Sequence, residues 1–156
     1  MVEDTQLIKC VIFTLRKENV IVPNSLVAEI VSVKDINEIE STPSWFLGNM
    51  SWRGEHVPLL SFESAGGGKI PKVNLNTQAV VLYAVGKDGD VIETPYLGLV
   101  MSGVPHVSQF SREQITTDVE VQEDHPMIAQ KVRINGASVS ILDVDAMVEM
   151  VAGIAA

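Results

Sequence analysis

The stretch from Trp45 to Glu63, WFLGNMSWRGEHVPLLSFE, constrains what this chain can fold into more than any other. It reads as a strand, a tight turn and a second strand. Trp52-Arg53-Gly54-Glu55-His56 marks the turn, and Val57 to Phe62 leaves it as an apolar run. Gly54 takes positive φ without a Cβ clash, which a two-residue hairpin turn needs. Pro58 has no N–H for a ladder, so its strand lies at an edge or begins irregularly. Arg53 admits two readings: a solvated turn arginine, or a guanidinium held in a cleft by a carboxylate with a partner protein beside it.

The pattern returns near the end of the chain. Ile134 to Val144 aligns with Trp52 to Phe62 at a constant offset, setting Gly136 on Gly54, Val139 on Val57, Ile141 on Leu59 and Leu142 on Leu60. A second, weaker echo relates Val20–Ile30 to Leu97–Val107, with Val22 on Leu99, Val27 on Val104 and Ile30 on Val107. Two echoes in the same chain order point to two similar β units in tandem. The competing explanation is chance similarity between apolar strands.

The chain of 156 residues suffices for one ordinary domain, or for two very small units sharing a core. Apolar residues make up 46% and aromatics only 5%, so the core is aliphatic and rich in β-branched residues that suit a pleated surface. A net charge of −9 argues against nucleic acid and against anionic membrane surfaces. The single cysteine, Cys10, excludes an intramolecular disulfide and a cysteine zinc cluster, and among Ile8, Val11 and Ile12 it reads as a buried, inert thiol. The opening MVEDTQLIK has acids where a signal peptide carries basic residues, and no run approaches the ~18 apolar residues that span a bilayer. The expected location is cytoplasmic, without direct membrane insertion.

Strands are expected over Lys9–Leu15 and Val20–Val22 around a polar turn at 16–19, with a helical turn from Pro23 through Val27. Val27–Val33 continues apolar around Glu29, an acid that must be solvent-facing or paired. Residues 35–43 form an acidic loop. Ser64–Lys69, SAGGGK, lacks Gly at 63 and Ser or Thr at 70, so it is a plain linker rather than a phosphate loop. Further strands are expected over Gln78–Val85, Thr94–Met101, Val104–Phe110, Pro126–Arg133 and Gly136–Leu142. A turn covers 86–90, and 111–124 is a polar loop with a short turn. From Asp143, a plausible N-cap, the spacing becomes helical, with Ala146, Met147, Met150 and Val151 facing inward. Short strands punctuated by turns and closed by one helix make the chain mainly all-β, and predict barrels rather than a sandwich.

Local signals for catalysis are missing. His56, His106 and His125 lack metal-site spacing, no GxSxG elbow occurs, and Cys10 has no activating base nearby in sequence. An enzyme with a loop-built site stands as the competing class, and nothing in the chain asks for a cofactor.

These residues resemble the CheW-like domain family, adaptors that couple receptors to the histidine kinase of chemosensory arrays. The family's central signature, roughly Leu-Gly-x-x-Asn-Leu-Arg-Gly-x-x-x-Pro-x-x-Asp-Leu, reads here from Leu47 through Gly48, Arg53, Gly54 and Pro58 to Phe62. Val22-Pro23, Val27-Ala28-Glu29-Ile30, Tyr96–Val100 and Val139–Val144 match its other motifs in order, so the resemblance runs from about Lys9 to Met150. It implies one domain made of two tandem five-stranded SH3-like β-barrels sharing an apolar core, with a short C-terminal helix. It implies no enzyme activity and no cofactor, and as partners a methyl-accepting chemotaxis receptor and a CheA-type histidine kinase. Carried over by position, Val27, Glu29 and Arg53 line the receptor groove, with Glu29 and Arg53 as a partly shielded ion pair, and Ile30, Leu47 and Gly48 face the kinase. Val27, Ile30 and Leu47 are equally readable as ordinary core. The chain departs from the family pattern at Ser51 for Asn, Ser61 for Asp, Met101 for a frequent Asp and His106 for a frequent Glu. The Trp-Arg-Gly variant and the acidic balance are closer to accessory members of pilus chemosensory systems, of the PilI and ChpC type. Loss of one of the two partners is the alternative that Ser51 and Ser61 raise.

Overall fold

A computed structural model describes residues 7–15, 18–33, 36–39, 42–70, 72–74, 76–84, 95–117 and 125–154. The turn expected at 86–90 and parts of the loops expected at 16–19, 35–43 and 111–124 lie outside them. The chain runs β1 (Leu7–Leu15), β2 (Glu18–Pro23), a 3-10 turn (Asn24–Leu26), β3 (Val27–Ser32), β4 (Phe46–Trp52), β5 (Glu55–Leu60), α1 (Phe62–Ala65), β6 (Gln78–Tyr83) and β7 (Tyr96–Ser111). A second 3-10 turn (Arg112–Gln114), β8 (Ile115–Thr117), β9 (Ile128–Ile134), β10 (Ala137–Leu142) and α2 (Val144–Ile154) complete it.

The strands form two sheets that share β7. In the first, the order is β4-β5-β7-β6-β3. It closes on itself because the chain just after β3 returns to β4: Asn37 and Asn49 exchange backbone bonds of 2.7 and 3.0 Å. In the second, the order is β8-β9-β10-β2-β1-β7. Its two edges are joined directly, since β7 passes through the Arg112–Gln114 turn into β8. Two barrels result, barrel 1 of five strands and barrel 2 of six; the short β8 adds one to the five expected.

Alternation along the strands buries both faces. In β1, Val11, Phe13 and Leu15 point into a layer between the barrels, whereas Ile8, Cys10 and Ile12 fill barrel 2. In β6, Val80 and Leu82 join the shared layer, and Ala79 and Val81 fill barrel 1. Val144, Met147, Val148 and Val151 of α2 complete the shared layer. The expected Met147 and Val151 are buried and Met150 packs on the layer at its margin, but Val144 and Val148 join them in place of Ala146, which stays half-exposed. Beginning the helix directly after Asp143, whose Oδ1 accepts from Ala146 N–H at 3.0 Å, sets this phase.

The internal echo is larger in space than in sequence. With an offset of 82 positions, as from Gly54 to Gly136, β4, β5 and the start of α1 fall on β9, β10 and the start of α2. Both hairpins turn on two residues of positive φ, Arg53 (48°) with Gly54 (76°) and Asn135 (52°) with Gly136 (85°), as a type I′ turn requires. Hydrogen bonds repeat at the same offset: Ser61 N–H to Trp45 O and Asp143 N–H to Met127 O, both 2.8 Å. Ser64 N–H to Ser61 Oγ (3.1 Å) likewise matches the Asp143 cap of α2. The weaker echo holds too. Parallel pairing sets Leu59 against Gly98 in barrel 1 and Ile141 against Ile21 in barrel 2, equivalent residues by both alignments. Each half of the chain therefore gives two strands to one barrel and its hairpin to the other, so the halves are exchanged rather than strung side by side.

Four expectations need correction. The two strands expected over Thr94–Met101 and Val104–Phe110 fall on one, β7 (Tyr96–Ser111), because its first part pairs β6 and its last part pairs β1, with a bulge opposite Ile12–Thr14 absorbing the change. β8 lies in the stretch read as loop. The linker at Ser64 begins inside α1, which Ser61 caps. β5 is not an edge strand: it lies between β4 and β7, and Pro58 precedes the two residues that pair with β7.

Candidate functional site

The type I′ turn places Trp52 and Arg53 at the mouth of barrel 1. Alternation along β4 sends Trp52 inward, where it is buried with Met50, Val57 and Leu59. Its indole packs edge-on against Tyr96 at 4.8 Å between ring centroids, and Tyr96 lies 5.7 Å from Tyr83. The register Glu29–Val81 gives the Glu29 side chain the same face as Val81, whose side chain fills barrel 1. The carboxylate meets the indole there, and Trp52 Nε1–H donates to Glu29 Oε2 at 2.7 Å. Arg53 donates from Nη2 to Glu29 Oε1 at 3.5 Å, and its guanidinium lies 4.9 Å from the Trp52 ring centroid.

The structure thus joins Glu29 and Arg53 as expected, but orders their contacts differently. The short, partly buried bond is the indole's. The ion pair is long and open to solvent, with Arg53 68% and Glu29 40% exposed, so of the partly shielded pair that was expected, the shielding falls on the Glu29–Trp52 contact. Exposed pairs contribute roughly 0–1 kcal/mol. Trp52 is therefore the residue that orients Glu29, a role the sequence reading missed. The signal was available: a tryptophan buried at a strand end needs an acceptor for its N–H, and Glu29 was the one acid inside an apolar strand.

The remaining predicted residues disperse. Val27 lies beyond a bulge, pairs with Leu82 and packs on the shared layer, so its face differs from that of Glu29. Ile30 pairs with Val80 and is 37% exposed. Leu47 is half-buried against the barrel 1 interior. Gly48 is buried, with φ +133°; a Cβ there would stand 2.5 Å from Asn37 O. It therefore shapes the surface by letting the Asn37 segment close the barrel. β3 and β4 do not pair directly, so Ile30 and Leu47 belong to separate strands with the Asn37 bridge between them.

Beside Leu47 lies an open groove of about 600 Å3, lined by Ile36, Ile39, Pro43, Phe46 and Ile70, with Glu38 and Lys72 supplying charge. Ile39 and Ile70 are 45% and 60% exposed. On barrel 2, Val104 and Val107 of β7 are exposed as well. Cys10 is buried, and burial pushes its thiol up from the ordinary range. Among the described residues no three His, Cys, Asp or Glu side chains come together as a metal site, and no helix is long and apolar enough to cross a membrane. The arrangement at Trp52 offers a fixed carboxylate, an exposed guanidinium and apolar edges, a set that suits binding.

Comparison with known proteins places these features. Among models of protein families, the CheW-like domain matches residues 9–152. Among solved structures, the chain is similar to the scaffolding protein TtCheW from Thermoanaerobacter tengcongensis, with a TM-score of 0.70 at 18% identity, over 88% of this chain and 90% of that one. No curated protein matches the sequence.

Proposed function

From the premise that this chain belongs to the CheW-like domain family, we propose that it is a non-catalytic adaptor joining a methyl-accepting receptor to a CheA-type histidine kinase. The observation that carries this reading is the Glu29–Trp52–Arg53 arrangement. A carboxylate fixed by a buried indole holds one side of an exposed guanidinium, which leaves the planar donor fork available to a partner's carboxylate or carbonyls. An amphipathic receptor helix has the matching form, with polar groups for Arg53; Val27, which packs on the shared layer, belongs to the wall behind this contact. Ile30 and Leu47 serve the kinase, and Gly48 serves it through the Asn37 segment. Holding both partners raises the effective concentration of one at the other without new chemistry. The family's scaffold role supports this reading, and the Trp-Arg-Gly turn supports a place in control of type IV pilus twitching motility.

The test is a pulldown of cognate receptor and kinase, offered separately and together, by wild type and Arg53→Ala. Recovery of a ternary complex, with receptor alone weakened by the substitution, is expected. Unchanged receptor affinity in Arg53→Ala overturns the groove. Recovery of one partner only selects the modulator alternative. Ser61 does not favour that alternative, because its hydroxyl caps α1 as the Asp143 carboxylate caps α2. Ser51, exposed two residues before Arg53, is the departure that does.

A further inference from the structure

His125 stands apart from the binding site, yet among the described residues it is one of few buried polar side chains, at 5% exposure. It lies in the turn before β9, at the position equivalent to Pro43 in the other half. Met127 N–H donates to its Nδ1 at 3.0 Å. That amide can only donate, so Nδ1 is the acceptor and the ring proton of the neutral form sits on Nε2. Nε2–H in turn donates to Phe62 O at 2.8 Å. The imidazole also stacks on the Phe62 ring, with centroids 4.1 Å apart and planes 19° from parallel.

These contacts cross between the halves of the chain. Phe62 opens α1, directly after the hairpin that carries Arg53. Met127 is fully buried in the shared layer, and its carbonyl accepts from Asp143 N–H at 2.8 Å at the start of α2. One line of hydrogen bonds therefore runs from α1 through His125 and Met127 to α2. We propose that His125 is a proton-sensitive clasp between the two halves: neutral, it ties α1 to the turn before β9; protonated, it lets go.

The reason is donor against donor. A protonated imidazole carries N–H on both nitrogens, so Nδ1–H would face Met127 N–H. The ring must leave its site, or Met127 must lose its acceptor inside the core. Among the described residues, the elements that meet here carry charges of both signs: Glu63 on α1 and Asp143 at the cap of α2, and Lys131 and Arg133 on β9. The Asp143 carboxylate is committed to the Ala146 amide, so the case for release rests on the donor facing Nδ1. The equivalent Pro43 cannot titrate, so only one of the two related turns responds to acid.

NMR on the full chain tests this without reference to receptor or kinase. Ring nitrogen shifts should show the neutral Nε2–H form of His125 at pH 7.5. Opening then couples to uptake of a proton by the released imidazole, so corrected exchange at the Met127 amide should rise roughly tenfold between pH 7.5 and 5.5. In His125→Asn, Oδ1 can still accept from Met127 N–H as an Asx turn but does not titrate in this range, and the rise should disappear. A charged ring at pH 7.5, no rise in wild type, or the same rise in the variant each overturns the proposal. If His125→Asn does not fold, the two wild-type measurements decide it.

Discussion

Arg53 occupies a backbone conformation that its side chain disfavours, and this separates what the turn needs from what a partner needs. Its φ is +48°, a left-handed value that costs an L-residue about 1–2 kcal/mol. At the equivalent position of the other hairpin stands Asn135, a residue type that tolerates this region. Arg53→Ala keeps the backbone cost and removes the side chain. Arg53→Asn removes the side chain and relieves most of the cost. The lost contacts are small, since a 3.5 Å ion pair at 68% exposure contributes roughly 0–0.5 kcal/mol, and an exposed cation–π contact about 0.5. Arg53→Asn should therefore fall within about 0.5 kcal/mol of wild type, and Arg53→Ala about 1 kcal/mol below Arg53→Asn. In urea unfolding with an m-value near ~2 kcal/mol/M, the two midpoints separate by about 0.5 M. Both variants should bind receptor about 5- to 30-fold more weakly, as loss of a ~1–2 kcal/mol contact gives. Equal midpoints would falsify the strain argument. Receptor binding by Arg53→Asn at wild-type strength refutes a role for the guanidinium.

Trp52→Phe should lower stability by about 1–2 kcal/mol by removing the 2.7 Å bond and some packing; if Glu29 is oriented by the indole, receptor affinity falls too, which isothermal titration would register. Gly48→Ala should cost about 2–4 kcal/mol, since its Cβ would press on the Asn37 backbone at positive φ. Gly98→Ala should cost less, because its nearest obstacle at 2.8 Å is the mobile end of Met50, and thermal melting ranks the pair. The buried Cys10 thiol is raised, so the unfolded chain gives up its proton first as pH rises. That share of stability is intact below the range in which an unfolded thiol ionises and is lost as pH climbs toward the folded value; Cys10→Val should abolish this alkaline loss in urea titrations between pH 7 and 10.

How much of this was legible in sequence follows from the physics of each feature. Turn chemistry and period-two alternation are local, so the hairpins around Gly54 and Gly136, the strand at Gln78 and the Asp143 cap could be read directly. β7 could not. Ser102-Gly103-Val104-Pro105 reads as a break, and only pairing with β6 on one side and β1 on the other keeps the strand continuous. β8 has three residues and exists because β9 offers an edge. α1 is a single turn in a glycine-rich run, fixed by Ser61 and by its kinship to α2. At the site, Arg53 and Glu29 each stood out as residues, and the resemblance joined them. The pairing of Glu29 with Trp52 needs β3 and β4 brought together across barrel 1, which no local pattern states.

The two halves also act as a comparison built into one chain. Where a position does the same job in both, the fold explains it: Ser61 and Asp143 both cap helices, and Gly54 and Gly136 both complete turns. Where the halves differ at equivalent positions, the fold alone does not demand the residue. Arg53 answers to Asn135, Trp52 to Ile134, and Glu29 to His106 through the β3–β7 echo. The second barrel closes its hairpin with no guanidinium, indole or carboxylate at those places. These three residues are therefore extra to barrel construction, and they are the three that contact one another at the mouth of barrel 1. Val27 and Ile30 do not pass this test, since Val104 and Val107 repeat their apolar character. Replacing Trp52, Arg53 and Glu29 together by Ile, Asn and His should then leave a folded protein whose far-ultraviolet circular dichroism matches wild type, with receptor binding lost. A triple variant that unfolds would return the cluster to the fold and remove the strongest argument for a site there.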